Sequence, residues 1–142
     1  MNEGWERLWD AINDAFVTLA ESLQSVNPEL WWTCAHAENA VFPFWAYASF
    51  SAQGIPGEED VVIAISFKST ENSLHFTCDI SRGNGEILAD GPSGSTTVTS
   101  NSSELQAWAA RKVTEALTFI EVHFEILRKE LRRQTTLPRD LH

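Results

Sequence analysis

Two cysteines and two histidines carry the side chains that bind zinc, and they fall into two short segments. Cys34 and His36 are two residues apart, whereas His75 and Cys78 are three apart. A zinc ion needs its ligands to converge tetrahedrally on one point. Residues two apart on a strand share a face, but residues three apart lie on opposite faces. If both segments are strands the four side chains cannot converge, so we predict no metal site.

Covalent catalysis would require a nucleophile, a base and an orienting group in one cleft. His75 and Asp79 share one face of a predicted strand, but no Gly-x-Ser-x-Gly motif supplies a serine beside them. Cys78 lies on the other face, between Phe76 and Ile80, where apolar surroundings disfavour the thiolate. We therefore predict no catalytic residue and no cofactor, and we expect that the protein is not an enzyme.

The segment PELWWTCAHAENAVFPFWAY, residues 28–47, contains three of the six tryptophans. Strand alternation puts Trp32 on a core-facing side and directs Trp45 and Tyr47 away from the core. Large aromatic side chains among polar ones are typical of protein interfaces. The alternative is that another part of the chain folds over them. We predict a partner-binding face made of Trp45, Tyr47, Lys68, His75, Thr77 and Asp79.

The formal net charge of −10 argues against a nucleic-acid partner. The charge is unevenly distributed, because residues 1–110 contain fifteen acidic and three basic residues and residues 111–142 contain five and seven. One interpretation is a solvated acidic surface with cations near the end of a C-terminal helix. The other is that the acidic surface binds a basic partner or mimics a nucleic acid. Both interpretations remain open.

Length and composition indicate one globular domain, which we assign to residues 1–134, followed by a flexible tail at 135–142. The N-terminus lacks the pattern of a signal peptide, and no apolar run is long enough for a bilayer. Two cysteines do not form a disulfide framework, and Cys34 could bridge to Cys78 only if their strands pair. We predict a cytoplasmic protein without a membrane partner.

The pattern of apolar residues predicts an α+β fold. A helix is expected from about Glu3 to Ser25, with its apolar residues on one face and its acidic residues on the other. From about Leu30 to Thr99, alternating segments with short turns predict an antiparallel meander of five to six strands. One long helix should follow to about Arg133, and both helices should pack on one face of the sheet.

The long C-terminal helix has two apolar stripes. Ser103 and Gln106 have capping-box spacing and predict its start. The first stripe runs from Leu105 to Leu131, and we expect it to pack on the sheet. The second stripe is turned by about 90° at the helical period, and it must meet the first helix or another subunit. We predict self-association through this second stripe, which consists of Trp108, Phe119, Val122 and Ile126.

Two functional hypotheses follow. The first is a non-enzymatic interaction module of the accessory, immunity or chaperone type, which binds a protein partner through the aromatic sheet face. The alternative is a small-ligand-binding protein or hydrolase with a pocket between sheet and helices, near Trp32, His36 and His123. A shallow aromatic face favours the first, and a concave pocket with converging polar groups favours the second.

Overall fold

The computed structural model describes residues 3–36, 44–98 and 101–136. The predicted α+β architecture is confirmed, with an N-terminal helix, a six-stranded antiparallel sheet and a helical C-terminal part. The elements in chain order are α1 (Glu3–Val26), β1 (Trp31–His36), β2 (Phe44–Ser51), β3 (Val61–Thr70), β4 (Ser73–Arg82), β5 (Ile87–Asp90), β6 (Gly94–Thr97), α2 (Ser102–Val122) and α3 (Phe124–Thr136).

The sheet follows the meander order β1-β2-β3-β4-β5, and β6 also pairs with β4. β5 pairs with β4 around Ile80 and β6 pairs with it from Ser73 to Phe76, so both occupy the same edge of β4. Gly91 lies between them, and its N–H donates to the carbonyl of Cys78 at 2.8 Å. A Cβ there would come within 2.8 Å of the Phe119 ring, so only glycine permits this close approach.

Strand alternation divides the sheet into two faces. The inward side chains of β3 are almost completely buried, and register pairs Ile63 with Ile80, Ile65 with Cys78 and Phe67 with Phe76. The intervening residues of β3 and β4 are half-buried or exposed. The apolar side chains thus form one core between the sheet and the helices, as the period of two predicts.

The predicted packing of the N-terminal and C-terminal helices on one sheet face is also confirmed. α1 buries Ile12, Phe16 and Leu23 in the core shared with the inward strand residues, and it packs beside β1, β2 and α2. α2 lies toward the opposite edge, where Phe119 lies against Gly91 and Trp108 lies near Gly94. The Trp108 ring also approaches Phe67 of β3 edge-on, at 6.3 Å between ring centroids. Each helix therefore covers one half of the same face.

The prediction of one uninterrupted C-terminal helix is wrong, because the helix breaks at His123. The backbone N–H of His123 donates to Phe119 and Ile120 and closes α2, while its carbonyl accepts from Leu127 and opens α3. Its imidazole Nδ1 also lies 2.7 Å from the Phe119 carbonyl oxygen. No glycine or proline marks this position, so the apolar pattern alone could not locate the break.

The start of α2 differs from the prediction as well. Asn101, not Ser103, is the N-cap, and its side-chain oxygen accepts from the backbone N–H of Glu104 at 3.1 Å. Asparagine is among the strongest N-cap residues because its short side chain satisfies an otherwise unpaired amide. The predicted start is therefore late by two residues.

The chain end is described as far as α3. Positions 135 and 136 of the predicted tail belong to this helix, and residues 137–142 lie outside the described part. Within the described ranges, no helix combines the length and the apolarity needed to cross a bilayer.

Candidate functional site

The sheet face that points away from the helices carries every residue of the predicted partner-binding set, and we call it the open face. Strand register arranges its side chains in rows that run across the strands. One row is Tyr47, Ala64, Asp79 and Asp90, taken from β2 to β5. The neighbouring rows are Trp45–Ser66–Thr77 and Lys68–His75–Ser95. The sheet therefore brings the six predicted residues onto one surface.

Trp45 and Tyr47 form a stacked aromatic pair on this face. Their ring centroids are 5.6 Å apart and the ring planes differ by 27°. The side chains at i and i+2 of a strand share a face, which explains why the rings meet. Their neighbours across β3 are the small residues Ser66 and Ala64, and Tyr47 is half-buried. Trp45 is 45% exposed, so the described part of the chain does not fold over it.

A shallow groove of about 510 Å³ runs beside the aromatic pair. Small side chains form most of its β3–β4 side, and Glu59 and Arg82 are also among its lining residues. Its other lining residues include Trp45, Tyr47, Val62, Ala64, Ser66, Ser81, Gly83 and Gly85. The groove lies open along the sheet surface, which suits an extended or convex partner better than an enclosed small ligand.

The polar members of the open face lie toward the hairpin end of β3 and β4. Lys68 and Thr77 are exposed, and His75 is half-buried. The Nδ1 atom of His75 lies 2.7 Å from the hydroxyl oxygen of Ser95 on β6, so this imidazole is hydrogen-bonded to Ser95. These residues can supply hydrogen bonds at the rim of an interface.

Asp79 faces Asp90 directly across β4 and β5. Burial, and secondarily the charge of Asp90, raise the pKa of the Asp79 carboxyl above its ordinary value. Like charges directly opposite each other on a sheet are unfavourable. Asp90 was absent from the predicted set because its position depends on how β5 docks on β4, which spacing along the chain does not reveal.

An ion-pair network joins the end of β4 to α3 on the helix-covered side of the sheet. The Arg82 guanidinium binds Glu130 of α3 through Nε and through a second bond of 3.3 Å from its terminal nitrogen, and its remaining nitrogen is 2.7 Å from Glu86. Glu130 is only 6% exposed and also accepts from Arg133 and Gln134. The charge of Arg82 is therefore already balanced within the chain.

This network predicts acid sensitivity. The hydrogen bond from Arg82 lowers the pKa of Glu130 in the folded protein. A lowered folded-state pKa contributes stability that is present above the unfolded value, about 4.3 for glutamate, and that is lost as the pH falls through the folded value. We expect the free energy of unfolding of Glu130→Gln to depend less on pH in this acidic range than that of the wild type. Urea titrations from pH 7 to pH 3 would measure both slopes.

Glu21→Gln, on the exposed side of α1, is the matched control for that titration and should keep the wild-type slope. Equal slopes for the wild type and Glu130→Gln would contradict the role assigned to the Arg82–Glu130 pair.

The four potential zinc ligands do not come together. Cys34 and His36 are on β1 and His75 and Cys78 on β4, with β2 and β3 between them, a separation of about 14 Å at ordinary strand spacing. The disulfide that strand pairing would have permitted is excluded by the same separation. Burial, and then Asp79, raise the pKa of the Cys78 thiol to about 12. In the described ranges no cluster of three histidine, cysteine or acidic side chains could hold a metal.

The residues of the alternative pocket are also apart. His36 lies at the β1 edge with its ring 5.1 Å from that of Trp9. The His123 ring lies 4.4 Å from the Phe119 ring at a tilt of 47°, and Phe119 lies against Gly91 at the opposite edge. Trp32 packs against the core but is only half-buried. The predicted ligand set of Trp32, His36 and His123 thus does not converge on one cavity.

A different groove, of about 460 Å³, lies between α1 and the α2–α3 junction. Its apolar wall includes Phe16, Leu19, Leu117, Ile120 and Phe124. Sequence reasoning missed this groove because it arises from the angle between two helices, and each wall taken alone has the apolar periodicity of a buried face.

The predicted self-association stripe is divided by the fold. Trp108 and Phe119 pack partly buried against the core, whereas Val122 is 72% and Ile126 is 39% exposed. The β4–β6 side of the sheet thus covers half of the stripe, an option that the sequence interpretation did not include. Self-association stays a prediction, and it now depends on Val122 and Ile126.

Comparison with known proteins assigns no relative: no family model matches the chain, and neither the curated proteins nor the solved structures contain a significant match.

Proposed function

We propose that this protein is a non-enzymatic interaction module that binds a protein partner through its open face, in an accessory, immunity or chaperone role. The observation that carries the proposal is the stacked Trp45–Tyr47 pair on an otherwise small and polar sheet surface. The proposed setting is the cytoplasm, where reducing conditions keep Cys34 and Cys78 as thiols.

The aromatic pair has the properties of an interface anchor. Tryptophan and tyrosine are enriched among the residues that dominate binding energy, because they combine a large apolar area with a polar atom. Stacking at 5.6 Å restricts both rings before a partner arrives. Less conformational entropy is then lost on binding, which favours affinity.

The distribution of reactive groups favours binding over catalysis. Cys78 is on the buried side of β4, and the imidazole of His75 is engaged by Ser95. A catalytic site would bring a nucleophile and a base together in a cleft. The open face instead combines aromatic rings, hydroxyls and charges on a broad surface, which is the composition of a protein interface.

The test is the substitution Trp45→Ala. We expect it to weaken binding of the natural partner about 30-fold or more, because a hot-spot tryptophan contributes about 2 kcal/mol or more. Tagged wild type would first be used to isolate the stoichiometric partner from the native cell. Isothermal titration with the purified partner would then give the dissociation constants of wild type and variant.

Val26→Ala is the control, since Val26 is 56% exposed but lies at the end of α1, away from the open face. It should bind like the wild type. If Trp45→Ala binds the partner as tightly as this control does, then the partner uses another surface and the proposal fails.

A further inference from the structure

We propose that the open face recognises a basic segment of its protein partner by holding one arginine side chain between the Trp45–Tyr47 pair and the Asp79–Asp90 pair. This inference rests on the proposed function and adds the chemistry of the partner. The carrying observation is that Tyr47 and the two carboxylates occupy opposite ends of one row across the sheet, with only Ala64 between them. Trp45 stacks on Tyr47 from the neighbouring row.

The dimensions of this row suit a guanidinium. Tyr47 and Asp79 are two strands apart, which corresponds to about 10 Å at ordinary strand spacing. A cation binds an aromatic face at up to about 6 Å from the ring centroid, and its charge-assisted hydrogen bonds to carboxylates are about 2.7–2.9 Å long. Ala64, whose side chain is a single methyl group, is the residue that lies between the two ends.

Arginine matches this arrangement better than lysine does. Its planar guanidinium can stack on an aromatic ring while its forked N–H groups bind a carboxylate in a bidentate manner. The lysine ammonium is a compact, strongly hydrated charge that lacks both geometries. The combination of ring and carboxylate therefore selects for a planar cation.

Charge complementarity supports the same occupant. Asp79 and Asp90 oppose each other across β4 and β5, and Asp90 contributes to the raised pKa of Asp79. An arriving cation would relieve this repulsion. Arg82 is already bound to Glu86 and Glu130. Lys68 is four residues from Ala64 along β3, or about 13 Å at the usual rise. The formal net charge of −10 adds long-range attraction for a basic partner.

The experiment uses three acetylated, amidated pentapeptides of the form Gly-Ser-X-Ser-Gly, where X is arginine, lysine or citrulline. Each is titrated into ¹⁵N-labelled full-length protein at neutral pH and low salt. We expect the arginine peptide to shift amide signals of the row, centred on Tyr47, Ala64 and Asp79. Uncharged citrulline should bind about tenfold or more weakly, because the charge-assisted bonds are lost, and lysine should lie between the two.

Two double variants make the test specific. Asp79→Asn with Asp90→Asn should weaken arginine-peptide binding about tenfold or more, while Asp10→Asn with Asp14→Asn should leave it near the wild-type value. The second pair removes the same charge from the exposed side of α1. Circular dichroism and the dispersion of amide signals confirm that each variant is folded. The inference is overturned if citrulline binds like arginine, if both double variants weaken binding equally, or if the shifts fall on α1.

Binding of the natural partner separates this inference from the proposed function. If Trp45→Ala no longer binds the partner but the Asp79→Asn, Asp90→Asn variant does, the open face is an interface that does not recognise a cation. The opposite result is that Trp45→Ala retains the partner while the arginine peptide still shifts the amide signals of the row in the wild type. In that case the proposed function fails and the arginine site stands.

Discussion

Phe67→Ala is expected to lower the free energy of unfolding by about 3–5 kcal/mol, the usual cost of truncating a fully buried phenylalanine. The Phe67 side chain is 0% exposed, and its ring lies 4.8 Å from Phe76 and 6.3 Å from Trp108. The truncation would leave a cavity where the sheet meets α2, and these rings could refill it only in part. Urea denaturation of the wild type and the variant measures the difference.

The adjacent residue on β3 provides the control. Ser66 is half-buried on the open face and is paired in register with Trp45. Ser66→Ala should change stability by no more than about 0.5 kcal/mol, as surface substitutions usually do. Similar losses for Phe67→Ala and Ser66→Ala would mean that the two faces of β3 are equally packed, and the open face would then not be a free surface.

Leu127→Ala is expected to cost about 2–5 kcal/mol, the range for buried leucine truncations. Leu127 is 0% exposed and lies in the first turn of α3, just beyond the break at His123. Together with Leu131, which is 2% exposed, it anchors α3 to the core. Because α3 carries the Glu130 partner of Arg82, the loss should also weaken that ion pair. Thermal and urea denaturation would report the loss.

Ile126→Ala is the matched control, since Ile126 precedes Leu127 in the chain but is 39% exposed. Its effect on monomer stability should stay within about 0.5 kcal/mol. A loss as large as that of Leu127→Ala at low protein concentration would place α3 in a different rotation about its axis. A loss that grows with protein concentration would instead point to burial of Ile126 between two copies.

Much of the candidate site could be read from the alternation of residues along the strands. Trp45 and Tyr47 share a parity opposite to that of the buried Ala46 and Ala48, and this requires only that β2 is extended. The Asp79–Asp90 pair could not be read in this way. Asp90 reaches Asp79 only because β5 docks beside β4 with a bulge that shifts its register, and local spacing does not encode that shift.

For the C-terminal helices, too, the apolar pattern predicted some features and not others. The stripe from Leu105 to Leu131 correctly identified core positions on both sides of the break, since each half keeps the helical period. It did not reveal the break at His123, because the pattern contains no residue that stops a helix there. It also did not show that Trp108 and Phe119 would be covered by the sheet edge, which requires knowing where α2 crosses β3 to β6.

By itself, the sequence determined the α+β class, the order of helix, meander and C-terminal helical segment, and the side of β1 to β4 that faces the core. These properties follow from the side-chain periods of 2 residues in strands and 3.6 residues in helices. Both periods depend only on residues that are close together in the sequence. Only the tertiary structure decided that Arg82 binds Glu130, that Gly91 lies against Phe119, and that Tyr47 shares a row with the Asp79–Asp90 pair. Such contacts join residues far apart in sequence, and they depend on strand register and helix crossing, which many distant side chains set together.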